Sequence, residues 1–263
     1  ADGNGKTLIW YNGNWTESRY ENGTPGSLND EFPPSFNSWI LPSSNNEFIT
    51  GSINITANIT DVTGMDSATV NFNSTNYSMS NTSDIWRYLW DTSNDGSYNI
   101  TIHYNDTLGY SNTTTLTNIT VDNTLPAIDF TSGSNNSYFS RDWIYIDVTV
   151  TETNLDEISF YLYNSSLGLV NNASYTNGTS YVNFTSLDSN MEYYYNVYAR
   201  DKANNLNSTE TRKLTLDSTS PAVSYAGGTE NNATFFNRDW IYVNVSITET
   251  NFNNMTFYLY NST

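Results

Sequence analysis

The sequence contains no cysteine and no glutamine, and only one histidine in 263 residues. The absence of cysteine excludes disulfides, thiolate metal sites and cysteine nucleophiles, and it leaves the redox compartment undetermined. Lysine and arginine number 9 against 27 acidic residues, and the net charge of −18 offers no basic surface for nucleic acid or an anionic membrane. No apolar run approaches the ~18 residues that would predict a transmembrane segment.

The polar residues do not form a recognisable catalytic set. His103 stands in the strand-like stretch YNITIHYND, where a single histidine is more often structural than catalytic. Asp156 and Glu157 are adjacent in a predicted turn, and no phosphate-binding loop or zinc pattern occurs. We therefore expect a protein that is not an enzyme and carries no catalytic cofactor.

The chain instead is rich in aromatic and uncharged polar residues. It has 21 Tyr, 12 Phe and 7 Trp, which supply large side chains for a core. Asn, Ser and Thr together make up 109 residues, whereas charged residues are only 14%. The sequence predicts well-filled cores beneath an uncharged, hydroxyl- and amide-rich surface.

Long internal repeats organise the chain. RDWIYIDVTVTETN begins at Arg141 and RDWIYVNVSITETN begins at Arg238, and 16 of 26 positions from there onward are identical. The stretches that begin at Tyr98 and Tyr193 each run 28 residues to a proline without a gap. A period near 95 residues indicates whole domains repeated in tandem.

The apolar residues alternate with polar ones, which predicts strands. Ile53, Ile55, Ala57 and Ile59 point one way, and Ile144 to Val150 repeat the same pattern. Short strands separated by Asn, Gly and Asp turns predict an all-β fold of tandem antiparallel β-sandwiches. Leu187 followed by Tyr193 resembles the tyrosine corner of immunoglobulin-like domains, with Tyr98 as its counterpart.

The repeats place the domain boundaries. Residues 1–35 form an N-terminal segment, in which TLIWY and NWTESRY flank an Asn12-Gly13 hairpin turn and a linker follows. Residues 36–124 and 125–219 form two complete sandwiches, and 220–263 form the first half of a third. Two explanations of the half domain stay open: the chain continues beyond it, or a strand from another subunit, such as TLIWY, completes it.

The pattern Asn-x-Ser/Thr occurs 21 times, nearly twice the ~11 expected by chance from the composition. Asn54, Asn58 and Asn99 alternate with inward-facing isoleucines, so they are expected to face solvent, where a glycan is attached. The sequence therefore predicts heavy N-glycosylation. The candidate asparagines are Asn14, Asn22, Asn54, Asn58, Asn73, Asn81, Asn99, Asn105, Asn112, Asn118, Asn135, Asn164, Asn172, Asn177, Asn183, Asn207, Asn232, Asn244 and Asn254.

The domain junctions VDNTLP and LDSTSP contain candidate calcium ligands. Asp122 and Asp217, aided by Glu152 and Glu249, offer the oxygen ligands that calcium prefers. The alternative is that these residues only turn the chain before a proline.

The repeated Arg-Asp-Trp phrase has a structural and a binding interpretation. We expect Trp143 and Trp240 to close the end of each core, with the charged pair at its rim. Stacking of these tryptophans on sugars is the alternative.

RDWIY, FYLYNST, YYYNVYARDKANN and LDSTSP, together with the crowded sequons, resemble the immunoglobulin-like or fibronectin type III-like repeats of archaeal cell-surface glycoproteins. The resemblance covers residues 36–263. It implies an extracellular structural subunit that binds copies of itself in an S-layer or a surface filament. The alternatives are the stalk of an adhesin and the accessory modules of a secreted enzyme.

Overall fold

The computed structural model describes residues 6–11, 14–21, 32–133 and 135–261. Within them the regular structure is β-strand alone, which confirms the predicted all-β fold. The N-terminal hairpin consists of β1 (Lys6–Tyr11) and β2 (Asn14–Glu21), which pair antiparallel with Tyr11 opposite Asn14. The pairing confirms the predicted hairpin, whereas its Asn12-Gly13 turn and residues 22–31 of the linker predicted at 22–34 lie outside the described residues.

Two sheets form the first sandwich. One has the strand order β3-β5-β9-β8, and the other has the order β4-β11-β10-β6-β7. The strands are β3 (Ser35–Leu41), β4 (Phe48–Ile49), β5 (Ile53–Thr60), β6 (Met65–Phe72), β7 (Thr75–Ser78), β8 (Ser80–Thr82), β9 (Ile85–Trp90), β10 (Gly96–Asp106) and β11 (Ser111–Val121).

The second sandwich repeats this arrangement. Its sheets have the orders β12-β14-β17 and β13-β20-β18-β15-β16, with β19 also paired to β18. The strands are β12 (Ala127–Phe130), β13 (Ser137–Phe139), β14 (Ile144–Thr151), β15 (Leu155–Asn164), β16 (Leu169–Tyr175), β17 (Tyr181–Phe184), β18 (Met191–Asp201), β19 (Leu206–Ser208) and β20 (Arg212–Leu216).

Each sandwich has its own core, built from the strand positions that alternate inward. In the first, Ile55 and Ile59 of β5 meet Ile100 of β10, and all three are fully buried. In the second, Ile144 of β14 and Phe160 of β15 are likewise buried. Full burial of one such side chain contributes roughly 1.5–3 kcal/mol, so the period-two pattern is what selects these strands.

Residues 222–261 contain two further strands, β21 (Ala222–Tyr225) and β22 (Val245–Thr248), which pair antiparallel. Several apolar side chains of this region are exposed, among them Ile241, Val243, Phe257 and Leu259.

The chain divides into two compact units. The first comprises Ala1–Pro126, Glu152–Asn154 and Arg200–Leu206, and the second comprises the other residues from Ala127 to Thr263. The loop between β14 and β15 and the loop between β18 and β19 therefore belong to the first unit.

Two local expectations are decided by the structure. The tyrosine corners are confirmed, because the Tyr193 hydroxyl donates to the Asp188 carbonyl at 3.1 Å and the Tyr98 hydroxyl donates to the Asn94 carbonyl at 2.9 Å. The turn expected at Asp156 and Glu157 is wrong, since both lie within β15. The preceding turn ends earlier, at residues 153–154.

Candidate functional site

Three carboxylates meet within the first compact unit. Asp122 follows β11, Glu152 lies between β14 and β15, and Asp201 ends β18. One oxygen of each lies within 4.8 Å of the others, and Asp122 and Asp201 are buried at 6% and 0% exposure. We call these residues the carboxylate cluster; it has no lysine or arginine partner among the described residues.

Two asparagine side chains supply the hydrogen-bond donors for this cluster. The Asn154 amide donates to Asp122 Oδ2 at 2.7 Å, and the Asn205 amide donates to Asp201 Oδ2 at 2.7 Å and to the Asp122 carbonyl at 2.8 Å. Buried carboxylates are expensive to desolvate unless they accept such bonds or bind a cation. The two amides thus tie both loops to the residue that ends the first sandwich.

A second layer of bonds holds the segment after Asp122. Thr50 Oγ1 donates to Asn205 Oδ1 at 2.8 Å, and the Asn123 amide donates to Asp95 Oδ1 at 2.9 Å. Thr124 Oγ1 donates to the other oxygen of Asp95 at 2.7 Å. These bonds from Thr124 and Asn123 hold the pKa of Asp95 below its ordinary value, and burial opposes them only partly.

The second predicted junction repeats the central contact. The Asn251 amide donates to Asp217 Oδ2 at 2.7 Å, as Asn154 does to Asp122, and the Asn251 backbone N–H donates to Glu249 Oε1. Glu249 Oε2 is a buried atom with no hydrogen-bond partner among the described residues. Both sequence-predicted aspartates therefore occupy equivalent hydrogen-bonded positions.

The donor set of the cluster is compatible with a hard cation. Carboxylate oxygens are the ligands that calcium prefers, and Asp122 and Glu152 are two that the sequence identified. The third, Asp201, comes from a hairpin loop 79 residues away along the chain, and the asparagines were also missed. The alignment of Asp201 with Asp106 in the repeat was the available signal, but it gives no position in space.

The sequon asparagines lie at the surface. Those with exposed side chains are Asn14, Asn54, Asn73, Asn76, Asn81, Asn99, Asn112, Asn118, Asn135, Asn172, Asn177, Asn183, Asn232, Asn254 and Asn261. Asn58, Asn105, Asn164, Asn207 and Asn244 are half-buried, and Asn22 lies outside the described residues. Within the described part, no sequon side chain is buried in a core.

Some of these amides are already hydrogen-bonded. The Asn105 amide donates to Asp66 at 3.0 Å, the Asn118 amide to Asn46 at 3.2 Å and the Asn244 amide to the Gly227 carbonyl at 3.1 Å. Because an N-linked glycan is attached through this nitrogen, these positions are less accessible to modification than the free amides.

The expectation that the repeated tryptophans close the cores is wrong. Trp143 is 37% exposed and Trp240 is 57% exposed. Since Ile144 faces inward, Trp143 falls on the outward phase of the strand, where its ring lies 3.9 Å from the Arg141 guanidinium. The Phe139 ring also packs against that guanidinium, at 4.0 Å, and burial lowers the pKa of Arg141.

Comparison with solved structures relates the chain to tandem domains. A fragment of titin with three consecutive domains matches with a TM-score of 0.51 and 11% identity, over 82% of this chain and 84% of that one. Fibronectin(III)-like modules of Clostridium thermocellum CbhA match at 0.47 and 14% identity, over 70% and 94%. The FN1–FN3 domains of chicken CNTN1 match at 0.40 and 14% identity, over 71% and 66%.

The fold is that of tandem fibronectin III/immunoglobulin-like sandwiches. At these identities the likeness concerns the fold alone. No protein-family model matches the sequence, and no curated protein matches it. Sandwich domains of this class are typical of extracellular proteins, and the described residues contain no helix long and apolar enough to cross a membrane.

Proposed function

We propose that this chain is part of a non-catalytic, N-glycosylated structural protein of the cell surface, which assembles with copies of itself in an S-layer or a filament. The resemblance to archaeal surface glycoproteins supplies the proposed origin. A tandem array of small domains gives the chain length and an extended surface for contacts with other copies.

The observation that carries this proposal is the placement of the sequons. They are enriched in the sequence, and 15 of them have exposed side chains, distributed over β2, both complete sandwiches and residues 222–261. Exposed Asn-x-Ser/Thr patterns mark attachment sites of glycans in secreted proteins. An array covered in this way is expected outside the cell.

Glycopeptide mass spectrometry of the protein isolated from its source tests the modification. We expect occupied sites among the free amides, such as Asn54 and Asn177, before Asn105. Peptides that cover these asparagines and carry no glycan at any of them would refute the glycoprotein proposal.

The apolar residues of 222–261 support self-assembly. An open groove of about 800 Å³ there is lined by exposed or half-buried side chains that include Val223, Tyr225, Val245 and Phe257. Such a face is covered in stable proteins, either by further chain or by a neighbouring subunit. We propose that β1 of a second copy is the strand that covers this face.

Electron microscopy of the purified protein under native ions distinguishes these functions. Sheets or filaments that disappear when residues 1–12 are deleted support assembly by strand donation. Protein that stays monomeric favours the adhesin stalk or the accessory modules of a secreted enzyme.

We also propose that the carboxylate cluster binds a structural calcium ion. Asp122, Glu152 and Asp201 would hold it, and the ion would offset the repulsion among three carboxylates. Asp217 and Glu249 offer the corresponding ligands at the other junction. Isothermal titration with calcium after EDTA treatment tests this proposal. Calcium binding that is abolished by Asp201→Asn supports the ion. No heat of binding, together with a melting temperature that EDTA leaves unchanged, indicates that the asparagine amides alone hold the carboxylate cluster.

A further inference from the structure

Two sequon asparagines of the second sandwich lie opposite an outward-facing tyrosine. Asn183 in β17 is the register partner of Tyr145 in β14, and Asn172 in β16 is the partner of Tyr161 in β15. Directly opposed residues of an antiparallel pair project from the same face, with Cβ atoms roughly 4.5–5.5 Å apart. Each of these asparagine side chains therefore lies beside a tyrosine ring.

At the first position a second tyrosine flanks the asparagine. Tyr181 precedes Asn183 by two residues and so shares its face of β17. The Tyr145 and Tyr181 rings have centroids 6.0 Å apart and an angle of 31° between their planes. Their exposures of 46% and 54% leave ring surface open to solvent on the side where Asn183 projects.

The second position offers a similar aromatic surface on the other sheet. Tyr161 and Tyr163 stack at 6.3 Å with an angle of 13°, and Tyr198 of β18 meets Tyr161 edge-on at 5.6 Å. All three are half-buried. Asn172 therefore lies at the border of a three-ring platform.

Both amides are available for modification. The side chains of Asn172 and Asn183 are exposed, and neither makes a side-chain hydrogen bond within the described part of the chain. The first sandwich provides a contrast, because Asn54 of β5 has the aliphatic Leu89 as its register partner. Asn112 does have Tyr104 as its register partner, but that ring is buried at 2% exposure and offers no open surface.

We propose that the first sugars of N-linked glycans on Asn183 and Asn172 pack on the tyrosine pairs Tyr145–Tyr181 and Tyr161–Tyr163, and so form an ordered, stabilising part of the second sandwich. The C–H face of a pyranose ring is apolar and weakly positive, which matches the negative face of an aromatic ring. Attachment through the neighbouring amide keeps the sugar at the ring without a separate cost of association. This inference rests on the proposed glycosylation.

The test combines removal of the glycan with removal of its platform. The full chain is produced in a host that glycosylates Asn-x-Ser/Thr and in a bacterial host that does not. In each host the parent protein and a Tyr145→Ser/Tyr181→Ser double variant are made, both with and without Asn183→Gln. Hydrogen exchange of the β17 amides is the readout, and Asn54→Gln is the matched control. The tyrosines are exposed, so their replacement is compatible with folding, which the exchange of the β14 core amides checks.

Loss of the Asn183 glycan is expected to speed β17 exchange about fivefold, the factor that corresponds to roughly 1 kcal/mol. The effect should vanish in the tyrosine variant and in unglycosylated protein, and Asn54→Gln should leave exchange in β5 within about twofold. Asn172→Gln should act likewise on β16 in the presence of Tyr161 and Tyr163.

The failures are distinguishable. If Asn183 carries a glycan and its removal leaves the hydrogen exchange of β17 unchanged, the packing proposal is overturned. It is also overturned if removal of the glycan speeds β17 exchange as much in the tyrosine double variant as in the parent protein. If other sequons carry glycans but Asn172 and Asn183 do not, the packing proposal is overturned and the proposed glycoprotein function stands. If no sequon carries a glycan, the proposed glycoprotein function is itself refuted. Protection of β17 in unglycosylated protein by added free oligosaccharide would indicate a site for external sugars and would also overturn the packing proposal.

Discussion

Replacement of Asn205 by leucine tests whether the carboxylate cluster depends on its amide donors. The leucine has a similar volume, but it removes the bonds to Asp201 Oδ2, to the Asp122 carbonyl and from Thr50. The bond to the carboxylate is worth roughly 1.5–3 kcal/mol and the other two about 0.5–1.5 kcal/mol each. Asp201, fully buried, loses a donor and gains none.

We expect Asn205→Leu to lower the free energy of unfolding by about 3–5 kcal/mol. For a domain of this size, that corresponds to a fall of roughly 2 M in the urea midpoint. Urea unfolding followed by intrinsic fluorescence measures it, with and without EDTA. The matched control is Asn94→Leu, an exposed asparagine whose side chain makes no hydrogen bond with the described residues, and for it the change should stay under about 0.5 kcal/mol.

A loss below about 1 kcal/mol for Asn205→Leu would contradict this account of the cluster. It would mean that the buried carboxylates obtain their stabilisation elsewhere. If Asn205→Leu lowers the free energy of unfolding only slightly when calcium is present, and more strongly in EDTA, the ion compensates for the lost amide. That result would support calcium binding and would contradict a cluster that depends on the asparagine amides alone.

Three other predictions address single contacts. Asp95 has a lowered pKa, so its stabilisation is complete above its ordinary pKa of about 4 and is lost as the pH falls through the lower folded value; Asp95→Asn should therefore destabilise at pH 7, and the gap to the parent protein should shrink toward pH 2 in thermal melts. Tyr193→Phe removes a hydrogen bond from a buried hydroxyl and should cost about 1 kcal/mol in urea unfolding, whereas the same change at the less buried Tyr98 should cost less. Trp143→Ala should cost about 1–2 kcal/mol, because the ring contacts Arg141 at the surface; a cost above the ~3 kcal/mol typical of a core tryptophan would restore the core interpretation.

The strands were predictable because they depend on local alternation. Ile55, Ile100 and Phe160 are inward wherever the period-two pattern places them, and the same phase argument assigns Trp143 to the outside once Ile144 is fixed inside. The expectation for Trp143 failed because it relied on residue type instead of phase. The pattern therefore carries more information about orientation than the chemical character of a single side chain.

The candidate sites were less predictable because they depend on pairing in space. Nothing in the local sequence places Asn172 opposite Tyr161, since that depends on the length and bulge of the β15–β16 hairpin. Asp201 likewise reaches Asp122 only when the hairpin between β18 and β19 folds beside the end of β11. The junction and TETN motifs identified two of the three cluster residues, Asp122 and Glu152, and only long-range contacts supplied Asp201.

The two complete sandwiches show how such a site arises on a repeated fold. Asp106 and Asp201 occupy the same place, and in both a side-chain Oδ1 accepts backbone N–H groups of the following loop, from Leu108 and Tyr110 in one and from Asn205 in the other. That shared role shapes the hairpin and explains why the aspartate recurs.

The second oxygen is where the copies differ. Asp201 Oδ2 receives the Asn205 amide, whereas Asp106 Oδ2 is buried without a partner in the described residues, because Tyr110 stands where Asn205 would be. The loop aspartate thus belongs to the fold, and the asparagine is the addition that connects it to Asp122. The link through Asn205 is therefore visible in the sequence only as a difference between aligned copies, since the loop aspartate that the copies share is accounted for by its role in the hairpin of each domain.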